Sequence, residues 1–242
     1  MDRSGPSNGG RAVLLSDQPA GRGRMDAVDA SGGRAPSFPM VEIPAPDGEA
    51  KSVKDGMGVI LWTAIAGFSG SLPLAYWIGR WALGVDIRRY GDGNPGAMNV
   101  KRAGGWRWFI PALLLEFLKG AIPIWLARSM GGLSGWALFP MAMAAPLGHA
   151  RSPWLGGKGG KAIAVTFGVW SGLTEWRIPM LMGGLFALAL RLAPPEGRAV
   201  RIGMLILSGL LIGASGIGWA HPSLAATSIG HTLLLIWTHR RR

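Results

Sequence analysis

The sequence has 242 residues, of which 49% are apolar and none is cysteine, and its formal net charge is +12. The absence of cysteine excludes disulfides, thiolate nucleophiles and cysteine-ligated zinc sites. The apolar residues come in blocks of about 15 to 25 with basic residues at their ends, which matches a bilayer core better than a soluble helical domain. We therefore predict an all-α polytopic membrane protein without a nucleic-acid-binding face, which needs basic residues clustered on a soluble surface.

The first 55 residues differ in composition from the rest. They contain seven basic and eight acidic residues among many Gly, Pro, Ser and Ala, and they show no sustained periodicity. This composition predicts a disordered tail, and the basic-then-apolar order of a signal peptide is missing. Met57 is an alternative start, so residues 1–55 are also compatible with a start-site artefact. Residues 56–242 then make up the integral-membrane domain.

Seven apolar segments follow the tail, and each predicts one membrane-spanning helix. Their approximate bounds are 57–81, 106–127, 133–149, 162–175, 178–192, 199–218 and 223–238. The fourth and fifth are short for a bilayer, and the alternative is one long bent element over both. Lys and Arg are concentrated in the first, third and fifth connections and after the seventh segment. By the positive-inside rule, this alternation predicts an N-terminus outside and a C-terminus in the cytoplasm.

The first connection contains the glycine-rich stretch "YGDGNPGAMNVKR", residues 90–102, which we call the first loop. Its glycines allow a backbone in which successive N–H groups point into one anion-binding concavity. Asn94 and Asn99 add neutral donors, and Arg102 adds a forked cation that suits phosphate oxygens. A flexible connector is the alternative, since Gly and Asn are also common in ordinary turns.

The third connection contains the stretch "GHARSPWLGGKGGKA", residues 148–162, which we call the second loop. It precedes the fourth apolar segment, so we expect Lys161 and the first N–H groups of that helix to face the same anion. Its residue order differs from that of a Walker A loop, and a basic topology signal is the alternative. Two such loops on one membrane face predict a site for phosphorylated ligands at the cytoplasmic surface.

Both loops resemble motifs of one enzyme family. The chain has "GSLP" at 70–73 and "GVDIRRYGDGNPGAMNVKR" at 84–102, where the family has G-S-x-P and then G-x-D-x-R-x-x-G-S-G-N-x-G-A-T-N-x-x-R. Gly148 and His149 are followed after eight residues by "KGGKAIAV", where the family has K-G-G-K-G-V-A-T. The segments "LLLEFLKGAIP" at 113–123 and "WTHRRR" at the C-terminus match more loosely. The sequence thus resembles the bacterial integral-membrane acyl-phosphate:glycerol-3-phosphate acyltransferases.

The resemblance implies that an acyl chain passes from acyl phosphate to the 1-hydroxyl of glycerol 3-phosphate, giving lysophosphatidic acid and phosphate. It implies an acyltransferase domain over residues 56–242 in the bacterial inner membrane, among membrane lipid, with a cytoplasmic active site and no cofactor, metal or nucleic acid. Together with the chemistry of the loops, it implies that the catalytic residues are Lys161, Arg102 and His239. The substrate- and phosphate-binding residues are then Gly91, Asp92, Gly93, Asn94, Gly96, Asn99, His149, Lys158, Gly159 and Gly160.

Other catalytic machinery is excluded by the residues themselves. The sequence has no G-x-S-x-G elbow, and no His is separated by four residues from a following Asp. Metal-assisted chemistry needs clustered carboxylates, whereas those after residue 55 are scattered: Asp86, Asp92, Glu116, Glu175 and Glu196. Asp86 is predicted to hold its loop by pairing with Arg88. Glu116 and Lys119, three residues apart on one helix face, are predicted to form a structural pair.

Departures from the family pattern leave alternatives open. Asp92 and Met98 replace a family Ser and Thr, and the family's third, serine-rich motif has no clear counterpart. An ionised Asp92 repels phosphate, so either it pairs with Arg89 or Arg102, or the pocket takes another ligand. The alternative function is a non-catalytic or diverged relative that binds a phosphorylated lipid or organic phosphate. A transporter is a further alternative, although the internal repeats typical of many transporters are missing.

Overall fold

The structure of the protein, a computed structural model, describes residues 53–240, with side chains from Gly56 onward. The described residues form helices and no strand. The α-helices are α1 Val53–Ser71, α2 Leu74–Trp77, α3 Ala97–Gly104, α4 Trp106–Ser129, α5 Phe139–Ala150, α6 Ile163–Thr174, α7 Arg177–Leu192, α8 Glu196–Gly216 and α9 Pro222–Arg240. Most of the predicted tail lies outside the described residues, but its last three residues belong to α1.

Each of the seven predicted apolar segments contains a helix. The fourth and fifth are the separate helices α6 and α7, because Glu175 and Trp176 between them take left-handed φ values of 51° and 74°. The two segments are therefore separate helices, and whether they cross the membrane as two spans stays a prediction. By length and composition, the stretches long and apolar enough to cross a membrane among the described residues are Gly56–Ala82, Trp106–Ser129 and Glu196–Gly216. The count of seven spans and the orientation of the termini stay predictions.

The first span is interrupted at Pro73. Proline lacks an N–H group and its ring clashes with the preceding turn, so α1 ends at Ser71 and the helix resumes at Leu74. A π-helical turn then continues the span to Ala82. Inside a bilayer, the backbone groups freed by such a break need partners within the protein. One of them is provided by Ser152, whose Oγ donates to the Ser71 carbonyl at 2.7 Å.

Two pairs of helices, α1 with α5 and α4 with α6, pack with their backbones in contact. A methyl group at Gly70 would overlap the backbone of Ala145, and one at Gly168 would overlap that of Phe117. Small residues at such crossings allow the close approach by which membrane helices associate. The second loop joins α5 to α6, so this packing fixes the positions of the two helices that the loop connects.

Single cysteines can test the predicted orientation, because the native sequence has none. Lys158→Cys and Arg198→Cys are expected to react with a membrane-impermeant maleimide only from the cytoplasmic side, and Met130→Cys only from outside. All three side chains are exposed, so access to the reagent depends on the membrane. The measurement compares intact spheroplasts with inside-out vesicles. Labelling of Lys158→Cys from outside would overturn the orientation and the cytoplasmic site together.

Candidate functional site

The two loops and the C-terminal end of α9 meet at one place in the structure. Lys161 Nζ lies 2.8 Å from Asp92 Oδ2, which joins the second loop to the first. Lys161 Nζ also lies 3.6 Å from Glu196 Oε1 at the start of α8. The Nε2 atom of His239 lies 3.9 Å from the same carboxylate oxygen. Residues from four separate parts of the chain are therefore brought together around one lysine.

An ion pair fixes the chain just before the first loop. Asp86 Oδ2 lies 2.7 Å from Arg88 Nη2, and Asp86 Oδ1 accepts from the backbone N–H of Arg88 at 3.0 Å. The hydrogen bond from the Arg88 side chain lowers the pKa of Asp86 to about 2, so this carboxylate is ionised at neutral pH. The predicted loop-holding pair is confirmed.

The glycines of the first loop have three different uses. Gly91 and Gly93 take φ values of +56° and +71°, the left-handed conformation that glycine adopts without strain. Gly96 has an ordinary φ of −99°, but its missing Cβ leaves room for the amide of Asn94. The N–H of Gly93 donates to a carbonyl of the same loop at 3.1 Å. The glycines therefore shape the loop, but the N–H of Gly93 is already used within it, and the anion-binding concavity stays a prediction.

Asn99 is the fully buried centre of the first loop. Its Nδ2 atom donates to Asp92 Oδ1 at 3.1 Å and to the carbonyl of Asn94 at 2.8 Å. Its Oδ1 atom accepts from Arg102 Nη1 at 2.6 Å. Asn99 therefore orients both the carboxylate and the guanidinium of the loop.

Asp92 is the anion that the first loop surrounds in this structure. The backbone N–H of Asn94 donates to Asp92 Oδ1 at 3.2 Å, and Arg102 Nη1 lies 3.6 Å from the same oxygen. The predicted partner Arg102 is thus present, but the shorter ion pair is with Lys161. Burial acts to raise the pKa of Asp92, but the hydrogen bond and charge of Lys161 leave that pKa below its ordinary value. The bridge to Lys161 therefore contributes stability at neutral pH and is lost only as the pH falls below about 3.8.

The second loop is bonded to the end of α5. The N–H of Gly159 donates to the carbonyl of Ala150 at 3.2 Å, and that of Gly160 donates to the carbonyl of His149 at 3.1 Å. A Cβ atom at Gly159 would overlap the carbonyl of His149, and one at Gly160 would overlap the imidazole ring. These two glycines therefore serve close packing, and their N–H groups are already bonded to α5.

A buried ionic network lies beneath the second loop. Glu116 and Lys119 on α4 form an ion pair of 2.7 Å, and both side chains are 2% exposed. The Nδ1 atom of His149 lies 2.9 Å from Lys119 Nζ and 3.0 Å from Glu116 Oε2. Ionised groups in a membrane interior are tolerated when they have such partners. The predicted structural pair is present, and the ring of His149, which the motif assigned to phosphate, belongs to the same network.

The network also satisfies backbone groups at the break in the first span. Glu116 Oε1 accepts from the N–H of Ala75 at 3.0 Å, and Lys119 Nζ donates to the carbonyl of Leu72. On its other side, the ring of His149 packs against the second loop. The interrupted helix and the second loop therefore depend on the same three side chains, a connection that no local sequence pattern indicates.

The last turn of α9 holds Lys161 from the other side. Thr238 Oγ1 donates to the carbonyl of Lys161 at 3.1 Å. His239 Nδ1 lies 2.7 Å from the carbonyl of Leu235, and because a carbonyl only accepts, Nδ1 carries a proton. The Nε2 atom of His239 is buried without a hydrogen-bond partner among residues 53–240. The motifs indicated His239 but neither its neighbour Thr238 nor Glu196.

A cavity of about 430 Å³ opens between the two loops and α9. Its lining includes Arg88, Asp92, Gly93, Lys158, Gly160 and Thr238. This volume lies in the range of small-molecule sites, and the basic side chains favour an anion. Within the part of the chain that the structure describes, no three His, Asp or Glu side chains are grouped to hold a metal ion.

Fold and site together define an integral membrane protein with a cavity where two glycine-rich loops meet. The family model for glycerol-3-phosphate acyltransferase matches residues 60–242. The chain belongs to the glycerol-3-phosphate acyltransferase family.

Similar proteins carry the same description. Over 171 residues the chain is 37% identical to glycerol-3-phosphate acyltransferase 1 of Thermotoga maritima, with 65% of this chain and 82% of that protein covered. Over 181 residues it is 34% identical to glycerol-3-phosphate acyltransferase of Synechococcus sp. (strain CC9902), with 75% and 88% covered. Among solved structures, the chain is similar to the glycerol 3-phosphate form of PlsY (YgiH), an integral membrane glycerol 3-phosphate acyltransferase. The TM-score is 0.67 and the sequence identity is 27%, with 76% of this chain and 88% of that one covered. The lysophosphatidic acid form of PlsY gives a TM-score of 0.66.

Proposed function

We propose that this chain transfers an acyl group from acyl phosphate to the 1-hydroxyl of glycerol 3-phosphate, as a step of phospholipid synthesis. Family membership and the motif resemblance support the proposal, as do the names of the two PlsY forms. The observation that carries it is the meeting of Lys161 with the first loop and with the His239 end of α9. This arrangement suits two phosphate-bearing substrates side by side.

The reaction needs no covalent enzyme intermediate, because an acyl phosphate is already activated. The bond between the acyl carbon and the phosphate oxygen breaks as the glycerol hydroxyl oxygen forms the new ester bond. The hydroxyl proton passes to the leaving phosphate. The protein contributes by holding both substrates together, which removes much of the entropic barrier, and by placing cations where charge develops on the leaving phosphate.

Two cations and one histidine carry the proposed roles. Lys161 and Arg102 are assigned to the phosphate groups, and Asn99 already orients the Arg102 guanidinium. His239 is assigned to glycerol 3-phosphate, because its buried Nε2 has no hydrogen-bond partner within the described residues. Lys158, exposed at the cavity, is assigned to attracting the anionic substrates.

The proposed site lies at the cytoplasmic face of the bacterial inner membrane. Both loops belong to the basic connections that the positive-inside rule places in the cytoplasm. The acyl chain of the donor is then proposed to lie between helices in the bilayer, while its phosphate reaches the cavity. A membrane-embedded enzyme can thus join an apolar donor to a water-soluble acceptor.

The direct test uses purified protein in lipid vesicles with radiolabelled glycerol 3-phosphate. With a long-chain acyl phosphate as donor, labelled lysophosphatidic acid is expected, and with the same chain as an acyl thioester none is expected. Product from the thioester alone would contradict the proposed donor. Binding of glycerol 3-phosphate without product from either donor would favour the non-catalytic relative, the alternative raised by Asp92.

Gly159→Ala is expected to destabilise the second loop by roughly 1–3 kcal/mol, the usual cost of overpacking, and thereby to raise the KM for glycerol 3-phosphate. The added methyl group overlaps the carbonyl of His149, so the second loop must shift together with Lys161. Gly184→Ala on α7 is the matched control, because nothing lies within 4 Å of the added methyl group there. Steady-state kinetics of both variants provide the measurement, and equal KM values would show that the loop tolerates displacement.

A further inference from the structure

The carboxylate of Asp92 has the surroundings expected of a bound phosphate. It lies 2.8 Å from Lys161 Nζ and 3.6 Å from Arg102 Nη1, the two cations assigned above to substrate. It also accepts hydrogen bonds from Asn99 Nδ2 at 3.1 Å and from the N–H of Asn94 at 3.2 Å. Both cations and both neutral donors are thus directed at an anion that the protein itself supplies.

The charges around Lys161 prevent Asp92 and a substrate phosphate from contacting its ammonium at the same time. Its ammonium lies within 4 Å of two carboxylates, those of Asp92 and, at 3.6 Å, of Glu196. A phosphate dianion bound to the same ammonium would lie a few ångströms from both carboxylates and be repelled by them. Substrate phosphate therefore reaches full contact with Lys161 and Arg102 only after the Asp92 carboxylate has moved away.

The first loop gives Asp92 the freedom to move. Its side chain is 34% exposed and lines the cavity. Its neighbours on both sides, Gly91 and Gly93, are the residues with the fewest restrictions on φ and ψ. The carboxylate can thus turn toward solvent at the cost of its hydrogen bond from Asn99, which keeps its bonds to Asn94 and Arg102.

We propose that Asp92 is an internal competitor of the substrate phosphate and sets the affinity of the site for phosphorylated ligands. The inference rests on the proposed function for the identity of the ligand, glycerol 3-phosphate. The resembling family pattern has a neutral serine at this position, so the competing charge belongs to this chain. The wild-type site then binds phosphate more weakly than a site with the same hydrogen-bond donors and cations but no competing carboxylate.

Asp92→Asn tests the inference with the least structural change. The amide oxygen can still accept from Asn99 and from the N–H of Asn94, but the negative charge beside Lys161 is gone. We expect the KM for glycerol 3-phosphate to fall about fivefold or more, from the repulsion of two charges at contact distance in water, while kcat changes less. Isothermal titration with inorganic phosphate, which needs no turnover, is expected to show the same gain in affinity.

Glu175→Gln is the matched control. It removes one carboxylate at the opposite end of α6, where Glu175 is 73% exposed and lies 3.4 Å from Arg128. The overall charge changes by the same amount as in Asp92→Asn. An unchanged KM in Glu175→Gln would therefore show that the effect of Asp92→Asn comes from the charge beside Lys161 and not from the net charge of the protein. Asp92→Ser, the family residue, is a second variant in case the introduced amide distorts the loop.

Three results would overturn the inference. An unchanged or raised KM in both Asp92 variants would show that the carboxylate does not compete. A large fall in kcat at constant KM would show that Asp92 takes part in the chemistry. Loss of folded protein in both variants would show that the bridge to Lys161 is structural. If neither the wild type nor the variants transfer acyl groups, the proposed function fails. The titration with inorganic phosphate still tests whether Asp92 competes with phosphate.

Discussion

Lys161→Ala is expected to lower the turnover of acyl transfer about a hundredfold or more, with little change in the amount of protein inserted in the membrane. Its ammonium is the group at which the first loop, the second loop and α8 meet. Losing one contact to charge that develops in the transition state typically costs about 2.7–4 kcal/mol. The backbone at this position is held separately through Thr238, so the second loop is expected to keep its place.

Lys101→Ala is the matched control for this experiment. Lys101 lies on α3, with its ammonium 3.6 Å from the centre of the Trp106 ring, whereas that of Lys161 lies between the carboxylates of Asp92 and Glu196. Its removal takes away one positive charge from the first loop, and turnover is expected to stay within about twofold, as for an ordinary surface substitution. Equal turnover in the two variants would mean that the second loop acts only as a topology signal.

Lys119→Met is expected to destabilise the protein by about 3–5 kcal/mol, the usual cost of removing one partner of a buried ion pair. The variant leaves Glu116, which is 2% exposed, without its cationic partner, and it leaves the carbonyl of Leu72 without its donor. The membrane interior offers no water to replace either contact. Thermal unfolding of the purified protein in detergent, followed by loss of the monodisperse peak, provides the measurement.

The combined variant Glu116→Gln with Lys119→Met tests whether the unpaired Glu116 carboxyl causes the loss of stability in Lys119→Met. The glutamine oxygen can still accept from the N–H of Ala75, and no isolated charge remains in the interior. The combined variant is therefore expected to be more stable than Lys119→Met alone. Arg177→Met, an exposed cation at the start of α7, is expected to change stability by about 0.5 kcal/mol or less. A Lys119→Met protein as stable as Arg177→Met would contradict a structural role for the network.

Segment length and hydrophobicity predicted the helices well, because an apolar run is a local property of the chain. The second predicted segment, 106–127, corresponds to α4 at Trp106–Ser129, and the last, 223–238, to α9 at Pro222–Arg240. The short amphipathic helix α3 was missed, since eight residues with two basic side chains give no long apolar signal. The interruption at Pro73 was missed as well, since the segment 57–81 was predicted as one span, and the partners that satisfy the broken backbone come from α4 and the second loop.

The site was predicted only as far as its motifs are local. Glycine spacing predicted an anion-binding backbone in the first loop; Gly91 and Gly93 do take left-handed φ values, because φ preference belongs to each residue, but the anion-binding concavity stays a prediction. Glycine spacing did not indicate that the N–H groups of Gly159 and Gly160 are already bonded to α5. The contact of Asp92 with Lys161 depends on how α5, α6 and the first loop pack, and no spacing in the sequence encodes it.

The ion pair inside α4 has a consequence for how the chain enters the membrane. Glu116 and Lys119 are neighbours on one helix, whereas their third partner, His149, is synthesised thirty residues later. Side chains at i and i+3 can meet as soon as the helix forms, so the two charges can cross the insertion machinery as one neutral pair. Exchanging either residue for a neutral one would send an unmatched charge into the lipid before α5 arrives. The spacing of three therefore serves biogenesis as well as the finished fold, and moving the lysine by two positions is expected to impair insertion of α4 itself.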